Sequence, residues 1–249
     1  MGATRNESSN STFFKVADGK IARKIKKQEL PENYNPREYR VRTGGVNGEP
    51  FEAVEEIFDS LVGEITDIVF QEPPYGGRQL RVTVVDGDDT AVLNLGFDKG
   101  RSGLDNNGVS FMGKLMALNP EEWIGAEAKI QPYKIARDDN PEKFNIGVTV
   151  THNGSKLVSA FQKPSEWNGN TAGRFADKVP GIEEKLVRGK KTYDSFERDD
   201  AIYVLVEKYL ASLAALTSAK AMNVATDISK AASEPAAAEV NDITDDLPF

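Results

Sequence analysis

Few side chains in this 249-residue chain are suited to bond-making chemistry. It has one histidine, His152, and no cysteine, which rules out thiol catalysis, disulfide scaffolds and zinc-finger sites together. His152 stands beside Asn153-Gly154, where a residue at a strand end is expected rather than a catalytic base. No Walker-type loop, no His-Glu-x-x-His and no Gly-x-Ser-x-Gly occurs. Asp86, Asp88 and Asp89 lack the full spacing of a calcium loop and read as a turn. The chain is therefore expected to be no enzyme, with no cofactor and no metal, and what remains is binding chemistry. Single-stranded nucleic acid needs cations for its phosphates and flat rings for its bases. Arg78 and Arg81 flank a strand that is entered through Tyr75, and Lys99 and Arg101 follow Phe97. Tyr133 and Lys134 leave another strand, Lys156 stands on the polar face of a hairpin, and Trp167 follows it. Phe97, Phe144 and Phe161 are in phase with apolar faces and are expected in the core. Tyr75, Tyr133 and Trp167 have polar neighbours and could serve in either place. The cluster Arg23 to Lys27 could clamp phosphates as an arm or form a solvated face, with contact slightly favoured.

The elements that must position these residues are legible as changes of period. Residues 1–12 are Ser/Asn-rich and predicted disordered, and 13–61 read as a basic arm followed by a short helix. That helix rests on Phe51, Val54, Ile57, Phe58 and Leu61 at helical spacing, with acids between. Strands are predicted at Glu64–Phe70, Arg78–Val85 and Ala91–Phe97, the last two joined by Asp86-Gly87-Asp88-Asp89. A helix follows over Val109–Leu118, then a strand over Trp123–Tyr133. Phe144–His152 and Ser155–Phe161 flank Asn153-Gly154, the strongest short-range hairpin signal. The order strand, strand, strand, helix, strand, strand is that of an OB-fold, a five-stranded, partly open barrel, although another small barrel would share it. The expected fold is thus mainly β, with an OB-like domain over 62–200. A C-terminal helix is expected over 201–220 and a disordered acidic tail over 221–249.

Hydrophobic residues make up 39% of the chain and charged residues 28%, which suffices for a buried core. The net charge of −8 at first opposes a nucleic-acid partner, but it is unevenly spread. Residues 1–42 carry +5, residues 43–60 carry −5, and residues 221–249 carry −5. No apolar run approaches the roughly 18 residues of a membrane span, and the polar start from Met1 to Ser9 is no secretory signal. With no cysteine, these features fit a cytoplasmic setting and no membrane partner.

The sequence closes on Asp242, then Asp245-Asp246-Leu247-Pro248-Phe249. A ring, a proline and a leucine suit an apolar pocket, and the acids suit a basic rim around it. This ending resembles the acidic tip of bacterial and bacteriophage single-stranded DNA-binding proteins, in which acids precede Ile/Leu-Pro-Phe or a bare terminal Phe. The resemblance covers the tail and the order of elements, not a continuous core motif. With about 60 residues ahead of the barrel, the chain is more similar to the phage-encoded versions, which decorate it. The resemblance implies a non-catalytic, sequence-nonspecific single-stranded DNA-binding protein of replication, recombination and repair, in the bacterial host cytoplasm if phage-encoded. Its tip would recruit a polymerase, helicase or primase, and homo-oligomers are open to it. The net −5 of the tail further suggests that it competes with DNA for a basic groove. A protein-interaction adaptor and an RNA-binding OB protein are the alternative readings.

Overall fold

Period-two alternation builds most of the chain. The structure is a computed structural model, and it describes residues 11–46, 49–73, 77–99, 103–123, 126–166, 169–187 and 190–233. The strands are β1 (Ser11–Ala17), β2 (Lys20–Ile25), β3 (Tyr39–Val46), β4 (Glu49–Phe58), β5 (Leu61–Gln71), β6 (Arg78–Asp86) and β7 (Asp89–Asp98). After helix α1 (Asn106–Leu115) come β8 (Glu127–Arg137), β9 (Asn140–His152), β10 (Ser155–Lys156), β11 (Glu183–Val187) and β12 (Lys190–Asp194), then helix α2 (Phe196–Ser233). Ten strands form one sheet in the order β10-β9-β8-β5-β6-β7-β1-β2-β4-β3, and β11 pairs only with β12 among the described residues. β1 and β7 run parallel, from Ser11↔Thr90 to Lys15↔Asn94, and the other pairs in this sheet are antiparallel.

The five-stranded OB barrel expected from the element order is not formed. Strands β5 to β9 and α1 do follow one another as the periods indicate, but the sheet does not close on itself. The edge of β7 is taken by β1, a strand from the segment read as a basic arm. The edge of β9 is covered by α1 and by β10. The Ser110 hydroxyl donates to the Val148 carbonyl and accepts from the Val148 N–H, both at 3.0 Å, so Val148 is satisfied at this edge without a strand beside it. The sheet curls far enough for the β1–β2 turn to meet β8, where Asp18 pairs with Lys134 at 3.2 Å and with Arg40 at 2.7 Å.

The helix expected within 50–61 is instead strand β4. Its apolar residues fit a period of 3.6, but its acids find their partners across a sheet. Arg23 of β2 pairs with Glu56, and Lys27 with Glu52 at 3.1 Å. Glu55 is 1% exposed and receives Lys15 at 2.6 Å, Arg40 at 2.6 Å and Arg42 at 3.4 Å. The basic block of 1–42 and the acidic block of 43–60 thus neutralise one another along β2, β3 and β4, as opposite charges on neighbouring strands favour. Of the cluster Arg23 to Lys27, Arg23 and Lys27 are engaged here, while Lys24 and Lys26 are exposed and have no ion pair among the described residues.

At the C-terminus, α2 starts at Phe196 and runs to Ser233, so residues 221–233, expected in the tail, are helical. Residues 1–10 and 234–249, which include the tip Asp242, Asp245, Asp246, Leu247, Pro248 and Phe249, lie outside the described residues. The stretch Phe196–Ser218 is apolar enough by length and composition to cross a membrane, yet Ile202, Val206, Tyr209, Leu210 and Leu213 are buried in the core. There they join Phe111, Met112 and Leu115 of α1 over the sheet residues Leu80, Val82, Leu93, Leu95, Ile130, Val148 and Val150. Tyr209 is the polar fastener of this contact: its hydroxyl lies 3.2 Å and 3.1 Å from the Leu115 and Leu118 carbonyls.

Candidate nucleic-acid interface

Alternation along β8 buries Ala128, Ile130 and Pro132 and turns Lys129, Gln131, Tyr133 and Ile135 to the opposite face. The register with β9 sets Lys129 beside Thr151, Gln131 beside Thr149, and Tyr133 beside Gly147. Asn153 and Gly154 then take positive φ, 47° and 76°, as the primed two-residue turn requires. The turn returns β10 so that Lys156 pairs with Thr151, and the Leu157 N–H donates to the Val150 carbonyl at 2.9 Å.

Gly147 shapes the centre of this face. A Cβ there would stand 2.6 Å from the Tyr133 hydroxyl and 2.8 Å from Ser110 Oγ, so only glycine lets the phenol ring lie across the β9 backbone. The result is a groove of about 500 Å³ lined by Lys114, Gln131, Tyr133, Ile135, Thr149, Thr151 and Lys156. Ile135 is 60% exposed and lies on the same face of β8 as the ring. Lys114 enters from α1, one turn after Ser110, whose hydroxyl fastens the helix to β9. Burial lowers the Lys114 ammonium below its usual value, and the charge of Lys156 lowers it further. Lys114, Lys129 and Lys156 have no ion-pair partner among the described residues, and none of those residues brings a carboxylate into the groove lining. An anion placed between Lys114 and Lys156 would relieve their mutual repulsion.

Of the residues singled out from sequence, Tyr133 and Lys156 meet in this groove. Lys134 is on the reverse face of the same ribbon, with Nζ 4.5 Å from the Phe144 ring centroid. Phe144 itself is 44% exposed, not in the core as its phase suggested, whereas Phe97 and Phe161 are buried. Arg78 is tied to the loop after β5 and to α2 by partly exposed ion pairs. It pairs with Glu72 at 3.0 Å and Glu207 of α2 at 3.1 Å, and it lies over the rings of Phe70 and Tyr203. Arg81 projects from β6 to 5.9 Å from the Phe13 ring, and Lys99 pairs with Asp105 at 2.8 Å. Tyr75, Arg101 and Trp167 lie outside the described residues. Lys114 was missed because a lone lysine on an amphipathic helix reads as solvated. Its spacing of four from Ser110 was the available signal.

His152 packs edge-on against Trp123, ring centroids 4.9 Å apart, and its Nε2 is 3.0 Å from the Glu122 carbonyl, which is a structural role. Another cleft, about 630 Å³, has Asp98, Asp194, Asp199 and Asp200 in its lining. Comparison of the chain with protein-family models, curated proteins and solved structures returns no match.

Proposed function

We propose that this protein binds single-stranded DNA without sequence preference along the β8–β9 face, and that it is not an enzyme. The observation that carries the reading is the half-buried Tyr133 ring, seated on Gly147 beside Lys114 and Lys156 in a groove to which the described residues contribute no carboxylate. The ring and Ile135 offer bases a stacking surface, and Lys114, Lys129 and Lys156 meet the phosphates. Thr149, Thr151 and Gln131 add hydrogen-bonding groups that fit any base edge or sugar. The protein would cover exposed strands during replication, recombination and repair, and the Asp242–Phe249 segment would recruit replication proteins such as a polymerase, helicase or primase. The groove, not a barrel, now supports this reading.

Fluorescence anisotropy with labelled oligo-dT, oligo-U and a duplex tests it. Oligo-dT should bind tightest, with affinity falling steeply as salt rises. A preference for oligo-U would make the ligand RNA. Failure to bind all three would overturn the reading in favour of a protein-interaction adaptor.

A further inference from the structure

A second groove, about 580 Å³, runs between α2 and the loop of residues 174–178. Its floor is apolar, formed by Phe175, Leu205 and Leu216, and its rim carries Arg174, Lys178 and Lys208. The Arg174 guanidinium carbon is 5.3 Å, and Lys178 Nζ 5.4 Å, from the Phe175 ring centroid. None of the three cations pairs with a carboxylate among the described residues. Glu121 also lines the groove, which leaves it an excess of positive charge. It shares no lining residue with the β8–β9 groove.

An apolar floor under a cationic rim fits a segment in which acids adjoin bulky apolar side chains. We propose that the occupant is this chain's own Asp242–Phe249 segment. Leu247, Pro248 and Phe249 would cover Phe175, Leu205 and Leu216, while Asp242, Asp245 and Asp246 meet Arg174, Lys178 and Lys208. Pro248 limits the backbone freedom lost on docking. The segment reaches. Ser212, on the groove wall, lies about 30 Å along α2 from Ser233, and the fourteen residues from Ser233 to Leu247 extend to about 46 Å. The docked segment hides the same side chains that a partner would grasp, so recruitment requires a partner that outcompetes the groove. This stands whether or not the β8–β9 face takes DNA.

The chain has no cysteine, so an introduced pair supplies its only thiols. In the full-length protein, Ser212→Cys with Leu247→Cys is compared with Gln131→Cys with Leu247→Cys under mild oxidation. The first pair should close within one chain at least ten-fold faster than the second. Adding Arg174→Glu and Lys178→Glu, or raising the salt concentration without them, should erase the difference. Equal rates, faster closure at position 131, a difference that survives both changes, or disulfide-linked dimers alone would overturn the proposal.

Discussion

Gly147 and Tyr133 act as one unit at the residue scale, because the ring can lie over β9 only where no Cβ stands beneath it. In oligo-dT titrations, Tyr133→Ala should lose about 1–3 kcal/mol, the value of one stacked base, whereas Tyr133→Phe should stay within about two-fold. Gly147→Ala should weaken binding in the same direction by tilting the ring. Equal losses for the Phe and Ala variants at 133 would shift the role from ring to hydroxyl. Glu55 is the residue whose chemistry stability depends on. Burial alone would raise its pKa, but hydrogen bonds from Lys15 and Arg40 outweigh burial and hold it below the usual 4.5. A carboxylate depressed in the folded state contributes stability that is complete above its unfolded value and is lost as pH falls through the folded one. Glu55→Gln should therefore cost about 2–4 kcal/mol in urea unfolding at neutral pH, below the full cost of a broken buried pair because Lys15 and Arg42 are half exposed. Its stability should also fall less than that of the parent below pH 4.5. Parallel pH curves for the two proteins would rule out this role.

Among the elements, α1 does the work of an eleventh strand along β9. Ser110→Ala leaves the Val148 N–H and carbonyl without their partner and should cost about 1–3 kcal/mol. Amide exchange at Val148 should speed up while that at Ile130 on β8 does not; an unchanged Val148 rate would mean that water replaces the hydroxyl. Strands β5 to β9 and the Asn153-Gly154 turn were readable because each is fixed by its own alternation or turn chemistry. β4 was not, since over ten residues Val54, Ile57 and Phe58 suit either period, and the deciding charges on Arg23, Arg40 and Arg42 lie elsewhere in the chain. The barrel expectation failed for the same reason: whether β7 meets β9 or β1 is settled by a partner far away in sequence. The length of α2 escaped a search for apolar stripes because residues 221–233 are rich in alanine, which favours helix without any stripe. Of the candidate site, Tyr133 and Lys156 showed as polar-face residues, while Lys114 joins them only through the docking of α1 on β9.

At the scale of the whole molecule, the net charge of −8 conceals a division of labour. Half of the basic block of 1–42 is spent on the acids of β4, and around β8–β9 Lys114, Lys129 and Lys156 have no ion pair among the described residues. Lys27→Ala should change the affinity for oligo-dT by less than about two-fold, while Lys156→Ala should lower the salt slope by about 0.7, one phosphate contact to a single strand. The reverse pattern would return the interface to the N-terminal segment. The parallel pairing of β1 with β7 has a consequence in time. Ser11 pairs with Thr90, 79 residues later, so β1 leaves the ribosome long before its partner. At about 5–20 residues per second, its bare edge waits some 4–16 s during synthesis. In that interval the nearest complementary β7 belongs to the chain ahead on the same message, which makes strand exchange between neighbouring nascent chains the characteristic assembly error of this fold.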